Sequence, residues 1–357
     1  MNIILNNIVL PLNDIISIAK LKNYDQSNSW ENSFFRFILD WFDPQNYIIT
    51  QSSGSTGTPK EIKLSKKDMK LSANRTIQTF NIQPEFPILL CMDCNFIGAK
   101  MMVVRALENN NDLVVVSPEA FPDINILNQH FEFAAMVPIQ LNNLLETHPS
   151  FLQNFSKIII GGSEISINLQ QKIKKYTSQK TKTFETYGMT ETISHIAYKE
   201  YDEEYFTPLN HIEISLSPNN CMMLHDNLTS EKFIITNDMV DIKEDENHHK
   251  IFKLLGRYDF IINSGGIKIN PEQIENNLSP YIPSRVFCIG VPDSKLGEKL
   301  VLLIEGAPNE FNQQLLSNLP KYHQPKSVFF IPEFVYLKSG KIDRKNTKAL
   351  FLQNHSV

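Results

Sequence analysis

Apolar residues recur at helical spacing along residues 65–80, at Met69, Ala73, Ile77 and Phe80. Ser65 precedes the run and Asp68 follows it by three, a capping box with Asp in place of Glu, so the pattern predicts a helix. "DLVVVS" (112–117) and "KIIIGG" (157–162) are short, β-branched apolar runs and read as buried strands. "SINLQQKIKKY" (166–176) returns to the helical period, and "KTFETYG" (182–188) reads as a strand running into a loop. Strands alternating with helices predict a mostly parallel α/β sheet, in which ligands bind beyond the carboxyl ends of the strands. The Gly-rich and polar motifs fall at those ends.

Near residue 256 the texture changes. Asn270 is a candidate cap with Pro271 at the first helical position, and "RVFCIGV" and "KLVLLIEG" read as strands flanking a "PDSKLGE" turn. The pattern predicts two domains: a large one over 1–257 and a small α+β one over 258–357.

Composition narrows the class. At 42% hydrophobic and 20% charged the chain supports a sizeable core, and a net charge of −5 argues against a nucleic-acid surface. The first ten residues are apolar but broken by Asn and lack a basic start, unlike a signal peptide. With no apolar run of membrane-spanning length, the default expectation is a soluble cytoplasmic protein. Cys91 and Cys94 form a C-x-x-C without a second ligand pair and read as ordinary thiols. His248 and His249 read as an exposed turn.

"ITQSSGSTGTPK" (49–60) crowds hydroxyls and glycines before a lysine. A Walker loop needs Gly-Lys five and six residues after its first Gly; after Gly54 the fifth residue is Pro59, so that spacing fails. Gly54 and Gly57 still permit close backbone approach to an anion, Ser52, Ser53, Ser55 and Thr56 offer hydroxyls, and Lys60 offers a charge. A flexible Ser/Gly linker is the competing reading.

The stretch resembles the signature S/T-S/T-G-S/T-T-G-x-P-K of the adenylate-forming acyl/aryl-CoA synthetase superfamily. Further motifs follow in that family's order: "TYGMTET" (186–192), "TNDMV" (236–240), "GRYDFIINSGGIKINPEQIE" (256–275) and "KSGKIDR" (338–344). The resemblance implies the adenylate-forming fold, a large N-terminal α/β domain with a small mobile lid. It implies ATP, Mg2+ and CoA as partners of a carboxylic acid. Carried over residue by residue, Ser52–Gly57 and Lys60 would hold the β/γ-phosphates and Glu191 the Mg2+. Thr190 would donate to the α-phosphate. Tyr187 and Gly188 would face adenine, with Gly162 and Ser163 opposite, while Asp238 would serve the ribose and Arg257 the ribose or a phosphate. Asp259 would be the hinge, Gly265 and Gly266 would line the thiol channel, and Lys341 would meet the charge developing at the α-phosphate.

"VPIQLNNLL" (137–145) and "TYGMTETISHIA" (186–197) resemble the o-succinylbenzoate–CoA ligase branch. Lys100, Arg105, Gln140, Ser194 and His195 are the candidate acid-pocket residues on that resemblance, with Arg75 as a further cation. The sequence departs from the pattern where Phe96 stands for the usual His, Ala99 for a Gly and Asn237 for a Gly, and where only about fifty residues precede the phosphate loop. The last point predicts a reduced N-terminal region. Other aryl- or acyl-CoA ligases, and enzymes that load a carrier protein, share these motifs. Lys341→Ala should lower ATP-dependent adenylation by ~10²–10³ and spare thioester formation from supplied acyl-adenylate, as single-turnover assays of the two half-reactions would check.

Overall fold

The computed structural model describes residues 1–21, 29–51, 60–119, 129–177, 180–229, 233–307, 311–336 and 342–355. The chain falls into two compact units, Met1–Glu213 with His225–Phe233, and Ile214–Leu224 with Ile234–Val357.

The first unit begins with strands β1 (Asn2–Leu5) and β2 (Ile8–Pro11), helices α1 (Leu12–Leu21) and α2 (Trp30–Phe42), and a two-stranded ribbon of β3 (Tyr47–Gln51) and β4 (Glu61–Ser65). Helix α3 (Lys66–Thr79) starts where the sequence places it, with Ser65 Oγ accepting the Asp68 N–H at 3.4 Å. Then come β5 (Ile88–Leu90), α4 (Ile97–Asn109), β6 (Leu113–Val115), β7 (Phe131–Met136), α5 (Pro138–Thr147), β8 (Phe155–Ile160), α6 (Ile167–Tyr176), β9 (Lys182–Gly188), β10 (His195–Glu200) and β11 (Thr207–Pro208). Nine strands form one sheet in the order β11-β10-β9-β8-β7-β5-β6-β1-β2. From β1 through β6, β5, β7 and β8 to β9 every pairing is parallel; β10 returns antiparallel to β9.

Period-two alternation sends neighbouring strand residues to opposite faces. Ile88 and Leu90 join one core with Phe34, Phe35 and Met69, while Leu89 joins another with Leu141 and Leu169. Leu113 and Val115 likewise oppose Val114, and Ile159 opposes Ile158 and Ile160. Both faces are therefore covered, which is why these strands read as unbroken apolar runs.

A four-stranded sheet joins β12 (Ile212–Leu216), β13 (Cys221–Asp226), β14 (Phe233–Glu244) and β15 (Lys250–Arg257) in sequence order. The second unit continues with β16 (Ile262–Ser264), β17 (Ile267–Ile269), α7 (Pro271–Leu278), β18 (Val286–Asp293), β19 (Gly297–Glu305), β20 (Ser327–Ile331) and α8 (Arg344–Asn354). Its five-stranded sheet runs β17-β16-β19-β18, with β20 parallel to β19. Leu300, Leu302 and Ile304 pack with Ile274 and Leu278 of α7; Val301 and Leu303 pack with Phe351 of α8. Asn270 Oδ1 accepts the Glu272 N–H at 3.0 Å, so the predicted cap and Pro271 start α7. The "PDSKLGE" turn is tighter than the sequence suggests: β18 runs through Asp293 and β19 starts at Gly297. All four cysteines are buried and free. His248 lies in an exposed turn with φ 62°.

Phe80, 4% exposed at the end of α3, meets the rings of Phe184 at 5.0 Å, Tyr198 at 5.2 Å and Phe133 at 5.8 Å. Phe80→Ala should destabilise the first unit by about 3–5 kcal/mol, seen as a lowered urea midpoint with retained secondary structure.

Candidate active site

Parallel pairing brings the carboxyl ends of β5, β7, β8 and β9 to one edge of the large sheet. Gly161–Ser163 follow β8, Met189–Ser194 follow β9, and Gln140 sits in the first turn of the helix after β7. Sequence-predicted residues of the first unit thus converge where an open α/β sheet presents its ligands. β3 and β4 pair Gln51 with Glu61, so the phosphate-loop stretch is bracketed by adjacent strand positions. Ser52, Ser53, Gly54, Ser55, Thr56, Gly57 and Lys341 lie outside the described residues; Lys60 is exposed just before β4.

The turn after β9 is held by Thr192. Its Oγ1 accepts the Met189 N–H at 2.9 Å and lies 2.9 Å from the Met189 carbonyl and 2.8 Å from the Ser194 carbonyl. Ile193 takes φ 69°, a left-handed backbone that β-branched residues rarely adopt. Nothing in the sequence signals that strain, because Ile propensity opposes it. Gly188 is required for a different reason: a Cβ there would stand 2.5 Å from both the Ser194 oxygen and the His195 Cα. Thr190 is buried, while Glu191 is exposed and its carboxylate has no hydrogen bond or ion pair among the described residues. A lone exposed carboxylate suits Mg2+, which takes one or two protein oxygens and fills its octahedron with phosphate and water.

Tyr187 is half-buried and meets Phe206 edge-on at 6.2 Å. In the turn after β8, Gly162 takes φ 89° and Ser163 is exposed. Glu185, not singled out from the sequence, braces this loop: its Oε1 accepts the Ile165 N–H at 3.3 Å and its Oε2 lies 3.1 Å from Lys199 Nζ.

The candidate acid-pocket residues divide by partner. Arg75 of α3 is paired, with Nη2 2.8 Å from Asp226 Oδ2 and Nη1 donating to the Asn210 carbonyl at 3.4 Å. Arg105 of α4 is 2% exposed and has no acidic partner among the described residues. Its Nη2 donates to Ser194 Oγ at 2.6 Å and lies 3.5 Å from His195 Nδ1, its Nη1 reaches Met102 Sδ at 3.7 Å, and its Nε has no partner. Burial pulls its pKa down to about 9, so the guanidinium stays charged at neutral pH. His195 is held well below 6.5, first by burial and then by the charges of Arg105 and Arg75. Its neutral ring accepts from Arg105 through Nδ1 and donates from Nε2 toward Thr76 Oγ1 at 3.5 Å. Lys100 donates to the Ile49 carbonyl at 3.4 Å, and burial lowers its pKa. Gln140 is committed at both ends: its amide nitrogen donates to the Cys91 carbonyl at 2.6 Å and to the Glu119 carbonyl at 3.1 Å, and its oxygen accepts the Val137 N–H at 3.2 Å.

The second unit carries its own set. Asp238 and Arg257 face one another in the β14–β15 ladder. Arg257 grips Asp259 with two bonds, Nε to Oδ1 at 2.9 Å and Nη2 to Oδ2 at 2.8 Å, and its backbone N–H donates to Glu272 Oε2 at 2.7 Å. Burial lowers the Arg257 pKa, but Asp259, Asp238 and Glu272 outweigh it and the net shift is upward. Gly265 and Gly266 take φ 60° and 83°, the two positive angles of a type I′ turn between β16 and β17. Beside this hairpin lies a cleft of about 270 Å3 lined in part by Tyr258, Ile261, Lys268 and His323. Arg344 Nη2 donates to Glu275 Oε2. Burial pushes the Glu275 carboxyl up to about 7 against the pull of Arg344, so it is ionised above neutrality.

Comparison with known proteins identifies the family and the fold. The AMP-binding enzyme family model matches residues 12–233, more than half of the chain. A 2-succinylbenzoate–CoA ligase of Lactococcus lactis is 24% identical over 335 residues, covering 87% of this chain and 72% of that one. The crystal structure of an acyl-CoA synthetase (AMP-forming)/AMP-acid ligase II-like protein from Dyadobacter fermentans is 30% identical, with a TM-score of 0.58 over 94% of this chain and 97% of the other. The o-succinylbenzoate CoA synthetase of Bacillus subtilis, in complex with ATP and magnesium, is 19% identical with a TM-score of 0.72 over 84% of this chain and 69% of its own. The fold is that of the adenylate-forming enzymes. The chain belongs to the AMP-binding enzyme family, and it is a ligase. Among the described residues no helix is long and apolar enough to cross a membrane.

The neutral His195 sets a pH dependence. Unfolding frees it to protonate near 6.5, whereas the folded value lies well below, so its contribution is complete above about 6.5 and is lost as pH falls through that range. His195→Gln should flatten the decline in urea midpoint between pH 7.5 and pH 5.5; an unchanged slope would show that the ring protonates in place.

Proposed function

We propose that the chain is an ATP- and Mg2+-dependent acid–CoA ligase whose acid is o-succinylbenzoate or a closely similar aromatic dicarboxylate. The observation that carries the substrate is Arg105: a buried guanidinium without an acidic partner among the described residues, donating to Ser194 beside a histidine kept neutral. A buried charge left without a counter-ion is costly, and an anionic substrate group would supply one. Ser194 Oγ accepts from Arg105 and lies 3.3 Å from His195 Nδ1, so its O–H would exchange that neutral acceptor for the second carboxylate of such an acid. Lys100, held on the Ile49 carbonyl, is assigned to the strand leading to the phosphate loop rather than to the acid. Gln140 is assigned to fixing the start of α5.

The reaction proceeds in two balanced steps. One carboxylate oxygen attacks the α-phosphorus of ATP, forming the acyl-adenylate as pyrophosphate leaves. The thiol sulfur then attacks the acyl carbon, forming the thioester as AMP leaves. A carboxylate approaching a polyphosphate meets repulsion, so charge neutralisation and in-line placement are what the protein must supply. In this reading Ser52–Gly57 and Lys60 hold the departing pyrophosphate end, and Thr190 donates to the α-phosphate. Glu191 would hold Mg2+, which would withdraw charge from the phosphates. Tyr187 and Gly188 pack the adenine with Gly162 and Ser163, Asp238 accepts from the ribose, and Arg257 acts mainly by fixing Asp259 as the hinge. Domains over 1–257 and 258–357, Lys341 as the adenylation lysine and Gly265–Gly266 beside the thiol complete the scheme. Lys268 on the adjoining cleft suits a phosphate-bearing thiol such as CoA.

The test is product analysis by mass spectrometry with ATP, Mg2+ and CoA, offering o-succinylbenzoate, benzoate and a medium-chain fatty acid in parallel. The dicarboxylate thioester should form fastest, and Arg105→Met should reduce its rate by ~10–100-fold relative to benzoate, the worth of one charge-assisted bond. Adenylate and AMP without a thioester would move the acceptor to a carrier protein. Equal turnover of all three acids would refute the dicarboxylate.

A further inference from the structure

The start of α8 is held by contacts that the proposed chemistry does not use. The guanidinium of Arg344 lies 4.8 Å from the Phe260 ring centroid and 4.9 Å from that of Phe287. It donates to Glu275 Oε2 and stands 3.8 Å from Glu272 Oε1. Both acids belong to α7, and each is anchored a second time: Glu275 Oε1 accepts the Cys288 N–H at 2.7 Å, and Glu272 Oε2 accepts the Arg257 N–H at 2.7 Å. Phe260 is shared in the same way, with the Arg257 guanidinium 5.2 Å from its centroid. The segment Arg257–Phe260 and the head of α8 are thus tied through the same two side chains, Glu272 and Phe260. The chain before Arg344 is equally fixed. Asp343 N–H donates to the Val335 carbonyl at 2.7 Å, Ile342 bridges to Tyr336, and Asp343 caps α8 through the Asn346 N–H at 3.0 Å.

We propose that Arg344 is a positioning residue for adenylation, locking the chain that carries Lys341 to the segment around Asp259 so that the two move as one piece. The inference rests on the reading of Lys341 as the adenylation lysine. Lys341 precedes Arg344 by only three residues of chain. Misplacement of a reacting group by about 1 Å is enough to slow a reaction ~10²-fold. The residue must be arginine. A planar guanidinium presents its faces to two rings while its edge bonds to carboxylates, and a lysine ammonium cannot do both.

The test compares the two half-reactions at pH 8, where Glu275 is ionised, in Arg344→Ala, Arg344→Lys, Phe260→Leu, Lys341→Ala and the Lys341→Ala/Arg344→Ala double variant. Arg344→Ala and Arg344→Lys should lower the adenylation kcat by ~10–100-fold, with the KM values for ATP and acid nearly unchanged and thioester formation from supplied acyl-adenylate retained. Phe260→Leu, which keeps the apolar bulk, should give a smaller loss of the same kind and serves if the arginine variants fail to fold. Because Arg344 acts through Lys341, the double variant should be no slower than Lys341→Ala alone. Independent losses in the double variant, full rescue by lysine, or equal damage to both half-reactions would overturn the positioning role. Normal adenylation in Lys341→Ala would instead remove the reading on which it rests.

Discussion

Parallel pairing is the constraint on which the first unit depends. Parallel strands need a crossover after each strand, so every chain reversal that begins at a carboxyl end opens on the same edge of the sheet. The turns after β7, β8 and β9 therefore share one rim without any contact selecting it. Burial on both faces keeps that rim rigid, because strands packed between two cores have no free surface into which they can bend. Local devices then shape it: Thr192 closes a turn, Gly188 lets two backbone segments approach, and Ile193 carries strain that this well-bonded turn sustains.

Charge is distributed to match. In the first unit the two deepest arginines have opposite fates: Arg75 is neutralised by Asp226, and Arg105 is left with neutral acceptors. Together with burial they keep His195 uncharged, so the surroundings of Ser194 carry one excess positive charge rather than two. In the second unit, arginines and acids are interleaved instead. Arg257, Asp259, Glu272, Glu275 and Arg344 form a nearly balanced chain of contacts along the start of α7.

Much of this was legible in the sequence, for physical reasons. The helices at 66–79 and 271–278 show their caps in Ser65 and Asn270, because capping depends on a single side chain a few residues away, and the helix at 167–176 shows its period. Strands β8 and β9 were visible because both faces are buried. The edges of the "PDSKLGE" turn were not, since Asp293 and Gly297 are turn formers that here still hold a ladder pair. The ordered motifs pointed to Thr190, Glu191 and Tyr187 and to one sheet edge. They could not show that Gln140 is committed to backbone groups, that Arg75 has a counter-ion and Arg105 none among the described residues, or that Glu185 braces the loop after β8. Those facts depend on residues distant in sequence: Cys91 for Gln140, Asp226 for Arg75 and Ile165 for Glu185.

The buried cysteines have a consequence of another kind. An enzyme that makes a mixed acyl–phosphate anhydride holds a potent acylating agent next to its own side chains. On the proposed chemistry its second substrate is a thiol, so any thiolate of the protein would be a rival for the same carbon. Burial pushes Cys91 and Cys94 up to about 12, Cys288 well above its ordinary value, and Cys221 upward. None of the four offers a thiolate near neutral pH, and none is exposed. The packing that fills the cores with sulfur thereby also protects the protein from modifying itself.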